Sequence, residues 1–186
     1  MITQPIVISF DETGLSDGAP KLAEKRALSA MKGMFLDETA RAAMDQDTVV
    51  YEFHTLQTPE LATDLAFGIS TCYPGKVGGE YFMTKGHYHE IFDCAEVYIC
   101  RQGRGIILME TPDGQWSAPE LMPGQAVYVP GGWAHRSVNI GDEPFVTFFC
   151  FRADAGHDYG TIEQKGFRKL VMERDGEAVI VDNPCM

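Results

Sequence analysis

The chain has 186 residues and a formal net charge of −12, with 27 acidic side chains against 15 lysines and arginines. An acidic balance of that size excludes a nucleic-acid or anionic-membrane surface as the main partner, because either would be repelled. The length suits one globular domain, or one domain with an extension, and 45% hydrophobic residues suffice for a real core.

The first residues, "MITQPIVISFDETG", lack a basic start and carry only a short apolar run, so no signal peptide is expected; no stretch reaches transmembrane length. From Lys21 to Met44, "KLAEKRALSAMKGMFLDETARAAM" is rich in Ala, Leu, Met, Lys and Glu, a composition that predicts one or two short helices around an interruption at Gly33. Met31, Met34 and Met44 would pack this region on the rest of the domain or on a partner subunit. Residues 1–47 therefore read as an N-terminal extension and 48–186 as the main domain.

After Asp47 the texture changes to short β-branched and aromatic runs broken by Gly, Pro and Asp: "VVYEFHTL", "LAFGISTCY", "EVYICRQG", "GIILMET", "AVYVP" and "FVTFFCF". Such spacing predicts an all-β sandwich or barrel. "LVMERDGEAVIVD" closes the chain as a hairpin with Asp175-Gly176 at its turn. Five cysteines, Cys72, Cys94, Cys100, Cys150 and Cys185, are odd in number and form no C-x-x-C. That argues against a disulfide framework or zinc ribbon and for a reducing cytoplasm, with the four cysteines in or beside apolar strands as buried free thiols.

Two segments concentrate the chemistry. In "TKGHYHE", His87 and His89 occupy alternate positions, which in a strand point to one face about 7 Å apart and can close on a single ion. Glu96 opens the apolar strand that follows. In "GQAVYVPGGWAHRSVN", Gly124, Pro130, Gly132, His135 and Asn139 fall around a strand, a turn and the next strand. His87, His89 and His135 offer imidazole nitrogens and Glu96 an oxygen, a set suited to a divalent first-row metal with positions left open. Glu90 and Asp93 lie closer to the histidine pair but in the intervening loop, so Glu96 is preferred.

The second segment is similar, at every fixed position, to a signature of the cupin superfamily, G-x5-P-x-G-x2-H-x3-N. The first resembles the other cupin signature but has six residues between His89 and Glu96 and Tyr81 where a glycine is usual. That longer spacing resembles one branch, the cupin-type glucose-6-phosphate isomerases, as do "YVPGGWAHRSVNIGDEPF" and "ADAGHDYGTIEQKGF". The likeness covers roughly Tyr51 to the C-terminus, most of the chain, and implies a cupin jelly-roll β-barrel carrying the short helical N-terminal extension. It implies interconversion of glucose 6-phosphate and fructose 6-phosphate in glycolysis and gluconeogenesis. It also implies one divalent ion per subunit, Fe²⁺ first and Mn²⁺, Zn²⁺ or Ni²⁺ as alternatives, and a cytoplasmic homodimer.

An aldose-ketose isomerisation moves hydrogen between C1 and C2 while charge builds on two adjacent oxygens, and a divalent ion stabilises that charge. Either a base carries the proton through a cis-enediolate, with Glu96 as candidate, or hydride passes directly between the carbons and Glu96 is a ligand only. For the phosphate, the resemblance nominates Thr71, Thr84 and Gly86, with Tyr51 and Tyr159 as hydroxyl donors. Lys85 is the adjoining cation, or else a solvated lysine. Tyr98, two residues after Glu96, either orients substrate hydroxyls or is a core tyrosine. His157 in "GHDYG" either serves ring opening as an acid or base or hydrogen-bonds the backbone. His54 reads as structural, Asn139 as part of the fold, and Trp133 as packing or pocket rim. The competing functions are a metal-dependent cupin oxygenase and a non-catalytic sugar-phosphate-binding cupin.

Overall fold

The computed structural model describes residues 2, 4–11, 14–16 and 21–186. In chain order the strands are β1 Ser9–Asp11, β2 Gly14–Ser16, β3 Lys21–Ala27, β4 Val49–Leu56, β5 Leu65–Cys72, β6 Lys76–Val77, β7 Glu80–Tyr81 and β8 Glu96–Gln102. They continue with β9 Gly105–Glu110, β10 Trp116–Ser117, β11 Glu120–Leu121, β12 Ala126–Val129, β13 Ala134–Asn139, β14 Phe145–Arg152, β15 Lys169–Arg174 and β16 Glu177–Asp182. Helix among the described residues is limited to a 3-10 turn at Leu28–Met31 and two short α-helices, α1 Glu38–Ala43 and α2 Tyr159–Lys165.

A six-stranded antiparallel sheet runs β12-β8-β14-β5-β4-β3. In a second sheet, β13 pairs with β9 along its length, and β10 and β11 also pair with β9. Alternation along β8 and β14 turns Tyr98, Phe149 and Phe151 inward, where they join Ile107 and Val138 of the second sheet in one core. Every residue of β9 and β13 is buried. The segment after α2 supplies part of that cover: the Arg136 guanidinium lies 4.0 Å from the centroid of the Phe167 ring. At the C-terminus, β15 and β16 form the expected hairpin, with positive φ at both Asp175 (54°) and Gly176 (82°) as a tight two-residue turn demands.

The stretch expected to be helical divides. Its first third is strand β3, paired antiparallel along β4 from Lys21 opposite Leu56 to Ala27 opposite Val49. Helix composition yields there because an open edge of β4 offers a complete ladder, and the alternation suits it: Leu22, Glu24 and Arg26 face a cavity, while Lys25 meets Glu52 on the facing strand at 3.0 Å. A 3-10 turn follows at Leu28–Met31, and α-helix is confined to the second half. Asp37 caps α1 by accepting from the Ala40 N–H at 2.8 Å, and Gly33 adopts φ 76° between the 3-10 turn and α1. Met31 is fully buried in the barrel core, and Met34 and Met44 pack against it. Cys72, Cys94 and Cys100 are buried free thiols, Cys150 is half-buried and Cys185 is exposed.

Asn139 ties three parts of the barrel together. Its Nδ2 donates to the carbonyls of Cys72 (2.8 Å) and Glu143 (2.9 Å), and its Oδ1 accepts from the Gly141 N–H (2.9 Å). Asn139→Ala strands these backbone groups in a site with no solvent access, so it is expected to lower unfolding free energy by about 3 kcal/mol, read from the urea midpoint at unchanged m-value.

Candidate metal centre

The segment before β8 runs alongside β13 through isolated bridges that pair Met83 with Val138 and His87 with His135. The His87 N–H donates to the His135 carbonyl at 3.2 Å, and the His135 N–H returns the bond at 3.1 Å. Residues directly opposite in an antiparallel pair share a face, so both imidazoles enter the barrel together. Gly86 makes the approach possible. It has φ 79°, and a Cβ there would stand 2.7 Å from the Phe167 ring and 3.0 Å from the His135 carbonyl oxygen. Glu96 comes from the first position of β8, opposite Phe151 of β14.

His87, His89, Glu96 and His135 thus form one buried cluster whose ligand atoms all lie within 4.8 Å of one another. Glu90 and Asp93 are not part of it. The cluster's protonation shows what it is built for. His89 Nδ1 lies 3.0 Å from the Cys94 carbonyl and His135 Nδ1 3.1 Å from the Trp133 carbonyl. Carbonyls only accept, so each Nδ1 carries the hydrogen, and the neutral form of either ring leaves its Nε2 lone pair for a metal. Glu96 Oε2 sits 2.9 Å from His135 Nε2 and 3.2 Å from His89 Nε2, while His87 Nε2 is buried with no hydrogen-bond partner. Nitrogen lone pairs converging on a carboxylate in a dry site repel unless a cation lies among them. The donor set therefore fits a divalent metal ion, with the two backbone carbonyls fixing ring orientation from behind.

The electrostatics agree. Burial alone would raise the Glu96 carboxyl, but the field of the adjacent His135, with His87 near, outweighs it and holds Glu96 far below the usual carboxylate range. Burial, with His135 and His157 nearby, pushes His87 well down, toward the neutral ring that ligates. Tyr98 is driven well up by burial and by Glu96, so its hydroxyl stays protonated beside the carboxylate.

A cavity of about 930 Å³ opens onto the cluster. His87, Glu96, Tyr98 and His157 line its metal end. The His157 ring centroid is 4.5 Å from that of His87, and the ring stacks on Tyr159 at 5.7 Å with planes 12° apart. Burial lowers the His157 pKa. Tyr51, Thr84, Lys85, Gly86 and Tyr159 also line the cavity. Burial raises Tyr159 to about 12 and Tyr51 further, so both remain hydroxyl donors at neutral pH. Lys85 forms an ion pair with Glu163 at 2.7 Å.

Thr71 is not among the lining residues. Its neighbour Ser70 is, because alternation along β5 sends Ser70 inward and puts Thr71 on the face of Ile69, which packs in a separate apolar cluster with Leu56 and Val146. Several further polar lining residues went unread in the sequence, Ser70, Ser137 and Arg26 among them. Ser70 and Ser137 line the cavity without any motif to mark them. Arg26 also lines it, directly opposite Tyr51 and paired with Glu24, but its helix-like surroundings gave no sign of a strand. His54 does not line the cavity, and Trp133 packs half-buried against the core.

A mostly antiparallel β fold that buries three histidines and a glutamate beside an interior cavity, with His87 and Glu96 in its lining, has the arrangement of a cupin. Sequence comparison then places it within that class. A model of the glucose-6-phosphate isomerase (GPI) family matches residues 25–184. The glucose-6-phosphate isomerase of Pyrococcus horikoshii is 50% identical over 187 residues, 99% of this chain and 98% of that protein, and that of Thermococcus litoralis is 49% identical over 97% and 96%. The chain belongs to the glucose-6-phosphate isomerase family. Among solved structures it is similar to oxalate decarboxylase OxdC of Bacillus subtilis, at 23% identity and TM-score 0.46, over 57% of this chain and 27% of that one. It is also similar to the capsular polysaccharide assembling protein CapF of Staphylococcus aureus, at 17% and 0.44, over 54% and 26%. The chain thus spans about a quarter of the length of those two solved proteins and nearly all of the curated relatives.

Proposed function

We propose that the protein interconverts glucose 6-phosphate and fructose 6-phosphate in this cavity. One observation carries the reading: a buried set of metal donors stands at one end of a cavity whose walls also carry hydroxyls and cations suited to a phosphate. His87, His89, Glu96 and His135 would hold the ion, with Fe²⁺ as the expected native metal and Mn²⁺, Zn²⁺ or Ni²⁺ compatible with the same donors. When bound, the metal supplies Lewis-acid stabilisation of charge on the C1 and C2 oxygens.

The remaining work falls to the chain itself. Ser70, Thr84, Tyr51 and Tyr159 offer hydroxyls to the phosphate, and Arg26 and Lys85 its counter-charges, so the sugar lies with C1 and C2 toward the cluster. His157, neutral and beside His87, exchanges a proton between its ring nitrogen and the sugar ring oxygen as the ring opens. Tyr98 donates from its hydroxyl and keeps the reactive end oriented. Glu96, the one anionic donor among three imidazoles, is committed to the ion and serves as a ligand. Hydrogen then passes from C2 to C1 as hydride while the O2 proton moves to O1. Phe149 and Phe151 line the same cavity and limit access of water to that transfer.

The unpaired cysteines support a cytoplasmic setting, and the outward-facing Ile99 and Tyr128 on neighbouring strands of the six-stranded sheet support a homodimer. An interconversion of these two sugar phosphates would serve glycolysis and gluconeogenesis. Protein stripped with chelator should lose conversion of fructose 6-phosphate in a coupled dehydrogenase assay and regain it with one of the four ions. No turnover with any of them would sink the reading, and oxygen uptake would favour a cupin oxygenase. Run in D₂O from fructose 6-phosphate, the reaction is expected to carry the substrate's C1 hydrogen to C2 and to leave C2 of the glucose 6-phosphate product free of solvent deuterium. Full incorporation would instead require a proton-accepting base and a cis-enediolate.

A further inference from the structure

We propose that Glu163 tunes affinity for the sugar phosphate by holding the Lys85 ammonium, so that the substrate's phosphate must take it over. The inference rests on the isomerase reading above, and concerns a residue that does not line the cavity.

Two cations, Arg26 and Lys85, are among the described residues lining the cavity, and each is already met by a carboxylate. The two pairs differ. Arg26 is bound to Glu24, two residues away on the same face of β3, and both side chains line the cavity, so that pair enters the site as a unit. Lys85 is instead met by a side chain from another element, Glu163 of α2, at 2.7 Å. Glu163 follows the cavity-lining Tyr159 by four residues and therefore shares its face of the helix.

The Lys85 backbone is anchored. Arg136 Nη2 donates to its carbonyl at 2.7 Å, and the N–H of the preceding Thr84 donates to the Ser137 carbonyl at 2.9 Å. Only the four-carbon stem is left to move. The Glu163 side chain is 44% exposed, so its carboxylate regains water when the ammonium leaves, and a pair this open holds its partner weakly. A phosphate bearing nearly two charges and three acceptor oxygens makes stronger charge-assisted bonds to the same three-donor ammonium. Transfer of Lys85 is therefore favourable, yet the lost ion pair subtracts from the binding that results. A pair with its carboxylate open to water and its ammonium largely covered accounts for a factor of about three to five in affinity.

The test uses metal-loaded wild type, Glu163→Gln, Lys85→Met and the double variant. KM and kcat are measured for fructose 6-phosphate, and calorimetry gives Kd for inorganic phosphate. Glu163→Gln is expected to lower both KM and the phosphate Kd about threefold, with the change in KM and not in kcat. Lys85→Met is expected to raise both, and on that background Glu163→Gln to do nothing further. Unchanged constants in Glu163→Gln would overturn the proposal. So would an equal shift with and without Lys85, which would show only the field of a removed charge. Phosphate affinities that follow the four-variant pattern in a protein without turnover would fail the isomerase reading alone; turnover without the pattern would fail this one.

Discussion

Replacing Glu96 by glutamine is expected to reduce isomerase turnover about a thousandfold and to leave the purified protein short of metal. The substitution is nearly isosteric, so packing at a fully enclosed site survives and the loss is chemical. Glu96 is the one anionic donor in the cluster, and its Oε2 stands against both His135 Nε2 and His89 Nε2. An amide there leaves three neutral imidazoles with nothing to balance a dication. His135→Ala is expected to act in the same direction, because it removes a ring already oriented by the Trp133 carbonyl. Turnover is read in the coupled assay, metal content by elemental analysis, and folding by circular dichroism. Normal turnover with either variant would refute the ligand assignment. Lost turnover at full metal content would instead make Glu96 a participant in hydrogen transfer.

Gly68→Ala is expected to be the most damaging small change to stability, lowering unfolding free energy by about 4 kcal/mol or preventing soluble expression. Gly68 sits in the middle of β5, paired with Thr55 of β4 and Phe149 of β14. A Cβ there would stand 2.0 Å from the His54 carbonyl oxygen and 2.9 Å from the Phe149 ring. The nearest obstacle is backbone, which no rotamer change relieves, so the β4–β5 ladder must part. Those strands carry Tyr51 and Ser70 into the cavity, and surviving protein should show a raised KM as well. A urea midpoint equal to that of the wild type would show that the sheet accommodates the methyl group.

The reach of sequence reasoning is clearest at the residues where it stopped. His87, His89, Glu96 and His135 were legible because their spacing is dictated locally: H-x-H puts two rings on one face, and the glycines and proline around His135 mark the turn that delivers the third. The β-texture after Asp47 and the Asp175-Gly176 turn were legible for the same reason, since strand alternation and positive φ leave short-range signatures.

Arg26 and Thr71 mark the other side. Lys21–Ala27 has the composition of a helix and became a strand because the edge of β4 was there to pair with it, a fact carried by residues 49–56 and not by its own. Thr71 and Ser70 are both β-compatible hydroxyl residues, and which of them faces the cavity depends on the register of β5 against β4 and β14. The link between Lys85 and Glu163 spans 78 positions and exists only because α2 packs beside the strand segment that bears the histidines. The amino-acid sequence by itself determined the four residues that gather as a candidate metal cluster, the class of β fold and its family, because those rest on local spacing. The tertiary structure alone decided which polar side chains line the cavity and which carboxylates meet its cations, because facing and pairing across a sheet are properties of two strands together.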